Sequence, residues 1–303
     1  MSEQQAPAPA PPLKTYRGNC HCGAYVYEVT IPEITSVGRC RCSICSKSGA
    51  LWKYVDDFDA NLRFVKGDPA ALAGYTFGNK NSPYKICPHC GVSFLLTGRF
   101  GPSGPEVRGV NIRTFQYGQG VDVWTLDITT GPDASSLPPA YEPAKYTGPE
   151  PTADVEGGKL YTGSCHCGAV RVALKSKPLD KTYEGSITEC NCSHCSRHAG
   201  IWAYPHKDQI AIQGEENLVP YVFGTKAWGK YFCKHCGILV YNAVQPISDE
   251  QLASMSEEAK KWTLGGSHLK PLNLRVLDDF DVYSLNIGRA DGYNSIKPTY
   301  VNP

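Results

Sequence analysis

The stretch "CRCSICSKSG", residues 40–49, puts three cysteines within six positions, and "CNCSHCSRHA", 190–199, repeats the pattern. Each triplet travels with two cysteine pairs. Cys20/Cys22 and Cys87/Cys90 accompany the first; Cys165/Cys167 and Cys233/Cys236 accompany the second. Together they use all 14 cysteines of the chain. Thiols spaced this closely either cross-link or bind a metal, and the compartment decides between the two. The opening "MSEQQAPAPAPP" has no basic and no apolar region of a secretory leader, so a cytoplasmic, reducing location is expected. Metal is then the better reading.

Seven cysteines per copy divide as four plus three. A structural zinc takes four closed ligands, whereas a catalytic zinc keeps three protein ligands and an exchangeable corner. On a strand, C-x-C places both thiols on one face. C-x-x-C-G reads as a knuckle turn, with Gly91 or Gly237 permitting the tight backbone. Cys20, Cys22, Cys87 and Cys90 thus make one closed site; Cys165, Cys167, Cys233 and Cys236 make another. Cys40, Cys42 and Cys45, like Cys190, Cys192 and Cys195, form a tripod with no cysteine for its fourth corner. Up to four zinc ions per chain are expected, two structural and two catalytic. Zinc on three thiolates carries a formal charge of −1, is a poor activator of water, and suits a further sulfur ligand. Two other readings stay open: His194 or His198 closing the second tripod, and iron–sulfur ligation. Histidines inside C-H-C and C-x-H-C should point away from the metal, as surface groups or groups that orient a ligand.

The elements that must carry these residues are duplicated. "GNCHCGAYVYEV" (18–29) matches "GSCHCGAVRVAL" (163–174), and "YTFGNKNSPYKICPHCG" (75–91) matches "YVFGTKAWGKYFCKHCG" (221–237); "GVNIRTF" (109–115) echoes "PLNLRVL" (271–277). A period near 150 residues is a domain duplication rather than a solenoid. Residues 1–13 read as a disordered Pro/Ala-rich tail, 14–130 as the first domain, 131–158 as a Pro-rich semi-extended linker, and 159–303 as the second domain. Alternation in "AYVYEVT", "AVRVAL", "VSFLLT", "ILVYNA", "VDVWTLDI" and "FDVYSLNI" predicts strands, so the fold class is mainly β. One inserted helix is expected over 248–262. Ser248 and Gln251 would form its capping box, with Leu252, Met255, Ala259 and Trp262 on one face, as a cover for the second site. Trp52 and Trp202 read as core. A net charge of +1 without basic runs argues against nucleic acid, and no apolar stretch of about 18 residues suggests a membrane span.

In order and spacing, "GSCHCGAV", "CNCSHCSRHAG", "FCKHCG" and "LNLRVLDDFD" resemble signature segments of the CENP-V/GFA (glutathione-dependent formaldehyde-activating enzyme-like) family. The resemblance implies two tandem small zinc-bound Mss4-like (β-tent) domains. It also implies a carbon–sulfur lyase acting on glutathione adducts, with glutathione as co-substrate. By the same resemblance the two four-cysteine sets are structural and the tripods catalytic. Lys47, Arg197, Arg113 and Arg275 are candidates to pair with glutathione carboxylates, against the alternative that they are solvated charges. The rival function is a non-catalytic zinc-stabilised scaffold; a third is a metal or redox sensor. The two copies could also pack together as an intramolecular pseudo-dimer.

Overall fold

A computed structural model describes residues 12–78, 83–99, 106–131, 140–278 and 280–303. Twenty strands and six short α-helices make these residues mainly β. Burial explains the strands. Along Val26–Pro32 the side chains of Tyr27, Val29 and Ile31 turn inward, and the strand pairs antiparallel with Leu13–Asn19, from Leu13 opposite Pro32 to Asn19 opposite Val26. Leu62–Lys66 completes a three-stranded sheet. The second copy repeats it with Lys159–Ser164, Arg171–Ser176 and Ile210–Gln213. A larger sheet follows in each copy, five-stranded and antiparallel in the first, seven-stranded in the second and antiparallel there except where Ile187–Cys190 pairs in parallel with Gly288–Ala290.

Each copy has its own apolar centre. Tyr16, Tyr27, Phe94 and Ile112 anchor the first; Leu174, Ile238, Leu272 and Leu274 anchor the second. Each such side chain contributes about 1.5–3 kcal/mol when fully buried. The second cluster does not stop at its own copy: Ile44, Cys45, Ala50 and Trp52 belong to it.

Four expectations change. The disordered tail falls mostly on residues 1–11, outside the described residues, but Leu13 already pairs in the first strand. Of the linker, residues 132–139 lie outside the described residues, and the remainder hugs the second copy. There Tyr141 stacks on His166 at 4.4 Å, Thr147 N donates to Gln213 Oε1 at 2.9 Å, and Ala153 N donates to Asp208 O at 3.0 Å.

Of "VDVWTLDI" (121–128) only the last two residues join a strand, Asp127–Thr130, and "FDVYSLNI" (280–287) holds none, the strand Gly288–Ala290 starting just after it. Asp122 and Asp281 explain the difference. Each accepts from a backbone N–H two residues on, Trp124 N at 2.9 Å and Tyr283 N at 3.0 Å, and so turns the chain locally. The inserted helix splits into Asp249–Ala253 and Glu257–Gly265, because Ser256 supplies a second N-cap. The Ser248/Gln251 capping box is present. Trp262, expected on the inner face, is 67% exposed, while Met255 and Thr263 are buried. Among the described residues no helix is long and apolar enough to cross a membrane.

Candidate metal centres

The four-cysteine sites form where two tight turns meet. Gly23 at φ 70° and Gly91 at φ 73° let the chain bend back, with Gly23 N donating to Cys20 O at 3.0 Å and Gly91 N to Cys87 O at 2.9 Å. Gly168 and Gly237 repeat this at φ 77° and 70°. The C-x-C pairs therefore sit in turns rather than on strands, because the hydrogen-bonded reversal interrupts the extended backbone that strand alternation needs. Cys20 Sγ lies 3.5 Å from Cys22 Sγ, which lies 3.6 Å from Cys87 Sγ, and the second copy has the same spacings. Four sulfurs about 2.3 Å from a tetrahedral zinc stand about 3.8 Å apart, so the sets fit that ion. Tyr25 N and Val170 N each donate to a sulfur of the set at 3.3 Å, as suits a thiolate.

The tripods sit at the N-terminal ends of two six-residue helices, Ser43–Ser48 and Ser193–His198. Cys42 and Cys192 are their N-caps, and Cys192 Sγ accepts from Cys195 N at 3.4 Å. The three sulfurs of each tripod lie within 4.8 Å of one another. Among the described residues no histidine, cysteine or carboxylate joins either set as a fourth ligand. His198 is engaged elsewhere, with Nε2 2.9 Å from Cys90 O, and His194 stacks on it at 4.5 Å. Histidine closure of the second tripod is thus not found. Aromatic side chains border both tripods. Tyr54 and Tyr204 are about two-fifths exposed, and burial followed by the nearby cysteine sulfurs raises the Tyr54 phenol; Tyr204 is raised to about 12, chiefly by burial. Trp52 and Trp202 are buried, as core residues would be.

Lys47 and Arg197 prove to be interface residues. Lys47 is 6% exposed, and its Nζ donates to Ser164 O at 2.9 Å, Val276 O at 3.0 Å and Asp278 Oδ1 at 2.7 Å, all in the second copy. Arg197 answers from the other side, donating to Asn19 O at 2.9 Å, Asn19 Oδ1 at 3.2 Å and Ser193 O at 2.8 Å. Both side chains are buried and turned to these protein acceptors, so neither stands open to a glutathione carboxylate. Arg113 and Arg275 are also buried. Arg113 bonds Gly49 O at 2.8 Å and Ser196 O at 3.3 Å; Arg275 bonds Ala199 O at 2.7 Å and Ser46 O at 3.3 Å. Each guanidinium thereby ties together the C-terminal carbonyls of both tripod helices, groups that a helix end leaves unpaired. Sequence reasoning missed this because its contacts cross between copies. A signal was present in the identical placement of the four cations in both repeats.

Paired four- and three-cysteine clusters that could hold metal ions, on a duplicated, mainly β frame, define the class of protein. The model of the family described as "Glutathione-dependent formaldehyde-activating enzyme" matches residues 15–124 and 160–259, more than two thirds of the chain. The chain belongs to that family, in two tandem copies. A crystal structure of a Rhodobacter sphaeroides protein is also similar, at 24% identity over 40% of this chain and 92% of that chain, with a TM-score of 0.30.

Proposed function

We propose that the chain is a carbon–sulfur lyase acting on glutathione adducts of an aldehyde or other small electrophile, with the two tripods as its working sites. The observation that carries this reading is that, among the described residues, neither set has a fourth ligand. Zinc bound there would supply an open, sulfur-preferring corner at which glutathione sulfur is stabilised as thiolate. The protein's own part is to fix that corner. Cys42 and Cys192, as helix N-caps, hold the sulfurs at the positive end of a short helix. Backbone N–H groups donate to Cys40 Sγ at 3.5 Å and Cys190 Sγ at 3.4 Å, leaving the ligand sulfurs less charge to donate. The half-exposed rings of Tyr54 and Tyr204 give the mouth an apolar wall. In the cleavage direction the C–S electron pair returns to sulfur, the adduct hydroxyl loses its proton to water, and a carbonyl compound leaves.

The test is to load the full chain with cobalt and record its thiolate-to-cobalt absorption with and without glutathione. The expected result is a shift that vanishes in the Cys42→Ser, Cys192→Ser double variant while the bands of the four-cysteine sites persist. An unchanged spectrum in the parent protein would overturn the reading and leave the scaffold as the better account.

A further inference from the structure

We propose that each tripod is held in working shape by the C-H-C turn of the other copy, with His21 and His166 as positioning residues, so that the four metal sites act as two cross-copy pairs. The inference rests on the tripods being metal sites, not on the reaction they run.

His21 lies between two cysteines of the first closed site, yet everything polar that it touches belongs to the second copy. Nε2 is 3.0 Å from Ser193 Oγ and Nδ1 is 2.7 Å from Tyr221 Oη. Ser193 opens the second tripod helix, between Cys192 and Cys195. Phe223 at 4.3 Å and Tyr300 at 4.8 Å pack on the ring. His166 repeats the arrangement in reverse. Its Nε2 is 2.9 Å from Ser43 Oγ, its Nδ1 is 2.7 Å from Tyr75 Oη, and Phe77 and Tyr141 pack at 4.6 and 4.4 Å. All four of those partners come from the first copy or the segment that follows it. The same geometry is thus kept in both directions between the copies.

A second link runs the other way. Lys47, two residues past Cys45, donates to the carbonyl of Ser164, which precedes Cys165; Arg197, two past Cys195, donates to that of Asn19, which precedes Cys20. Physical necessity supports the pairing. A six-residue helix has almost no stability of its own, so its shape must come from what it packs against. The C-H-C turn supplies two of the four cysteines of a closed site, so a metal there would make it a stiff neighbour, and it stands on the other copy. Residues that orient metal ligands in this way commonly change metal affinity by about 10–100-fold when replaced.

The experiment uses the full chain in two backgrounds: Cys42→Ser, where only the second tripod reports, and Cys192→Ser, where only the first does. In the Cys42→Ser background, His21→Leu should weaken cobalt binding at the second tripod about tenfold and shift its bands. His21→Gln, which keeps a hydrogen-bonding end, should restore most of the loss, and His166→Leu should leave that tripod unchanged. In the Cys192→Ser background the two histidines should exchange roles. Metal content of the closed sites and far-ultraviolet circular dichroism check that the fold survives. Should the leucine variants fail to fold, Ser193→Ala and Ser43→Ala remove only the hydroxyl partner and should each weaken the tripod on its own helix alone. Equal effects on both tripods, an effect confined to the histidine's own copy, or no effect at all would overturn the proposal.

Discussion

The two tripods share every ligand position and differ in what stands behind them. Position 84 is a tyrosine whose Oη lies 3.6 Å from Cys45 Sγ and whose ring meets Trp52 edge-on at 5.4 Å. The matching position in the second copy is Lys230, whose Nζ lies 5.7 Å from the Trp202 ring. The Cys192 thiol there is held well below its ordinary range, first by hydrogen bonds from Cys190 and Cys195 and further by the Lys230 ammonium. The cations after the tripods differ too: Lys47 is paired with Asp278, while among the described residues no carboxylate pairs with Arg197. Directly behind the tripod, then, the first site has a neutral phenol and the second an ammonium. Three thiolates and a divalent metal leave a charge of −1, so a neighbouring cation should favour one more thiolate. Identical ligands can therefore serve two different affinities.

The largest test of this comparison is removal of the closed sites. Cys87→Ser and Cys233→Ser should each cost several kcal/mol, because structural zinc binding is itself folding energy. Guanidinium unfolding of the zinc-loaded variants reads the loss, and if the native signal survives unchanged in either, the division into closed and open sites fails. Next come the buried cations. Lys47→Met removes the buried ammonium that pairs with Asp278 and should cost about 3 kcal/mol. Arg197→Met strands only neutral acceptors and should cost about 2 kcal/mol. Equal costs would show that Asp278 does not distinguish the copies.

A smaller effect is expected from exchanging the groups behind the tripods. Lys230→Tyr should weaken thiol binding at the second tripod about tenfold, and Tyr84→Lys should strengthen it at the first by a similar factor, about 1.4 kcal/mol in opposite senses. Cobalt titrations with glutathione would measure both, and changes of the same sign would break the charge argument. Smallest of all, Trp262→Ser on the exposed face of the inserted helix should alter stability by less than about 0.5 kcal/mol in thermal unfolding. A larger loss would mean that the insertion is structurally engaged at that residue.

Much of this was legible in the sequence, for a physical reason. Metal ligands come in short local spacings, so the two closed sets and two tripods follow from the chain alone, and counting cysteines already shows the missing corner. Alternation found the strands wherever both faces of the sheet decide side-chain direction. It failed at Asp122 and Asp281, where one carboxylate turns the backbone, and at Ser256, where a second cap breaks the helix. Lys47, Arg197, Arg113 and Arg275 were visible as repeated cations, but their work depends on acceptors in the other repeat. His21 and His166 were expected to point away from the metal, at the surface or orienting a ligand; at 3% exposure each, the surface reading fails. That they face the opposite copy shows only in three dimensions, in contacts such as those with Tyr221 and Tyr75, 200 and 91 residues away in sequence.

The two repeats also exchange tyrosines. Tyr141 leaves the first repeat and closes on the second, as Tyr300 at the other end of the chain closes on the first, its hydroxyl 2.8 Å from His21 O. If two identical chains were joined by such an exchange, every substitution would be made twice and would have to suit both places at once. A single fused chain is free of that constraint. Tyrosine can stand behind one tripod and lysine behind the other, and each half can drift toward its own work while the grip between them is kept.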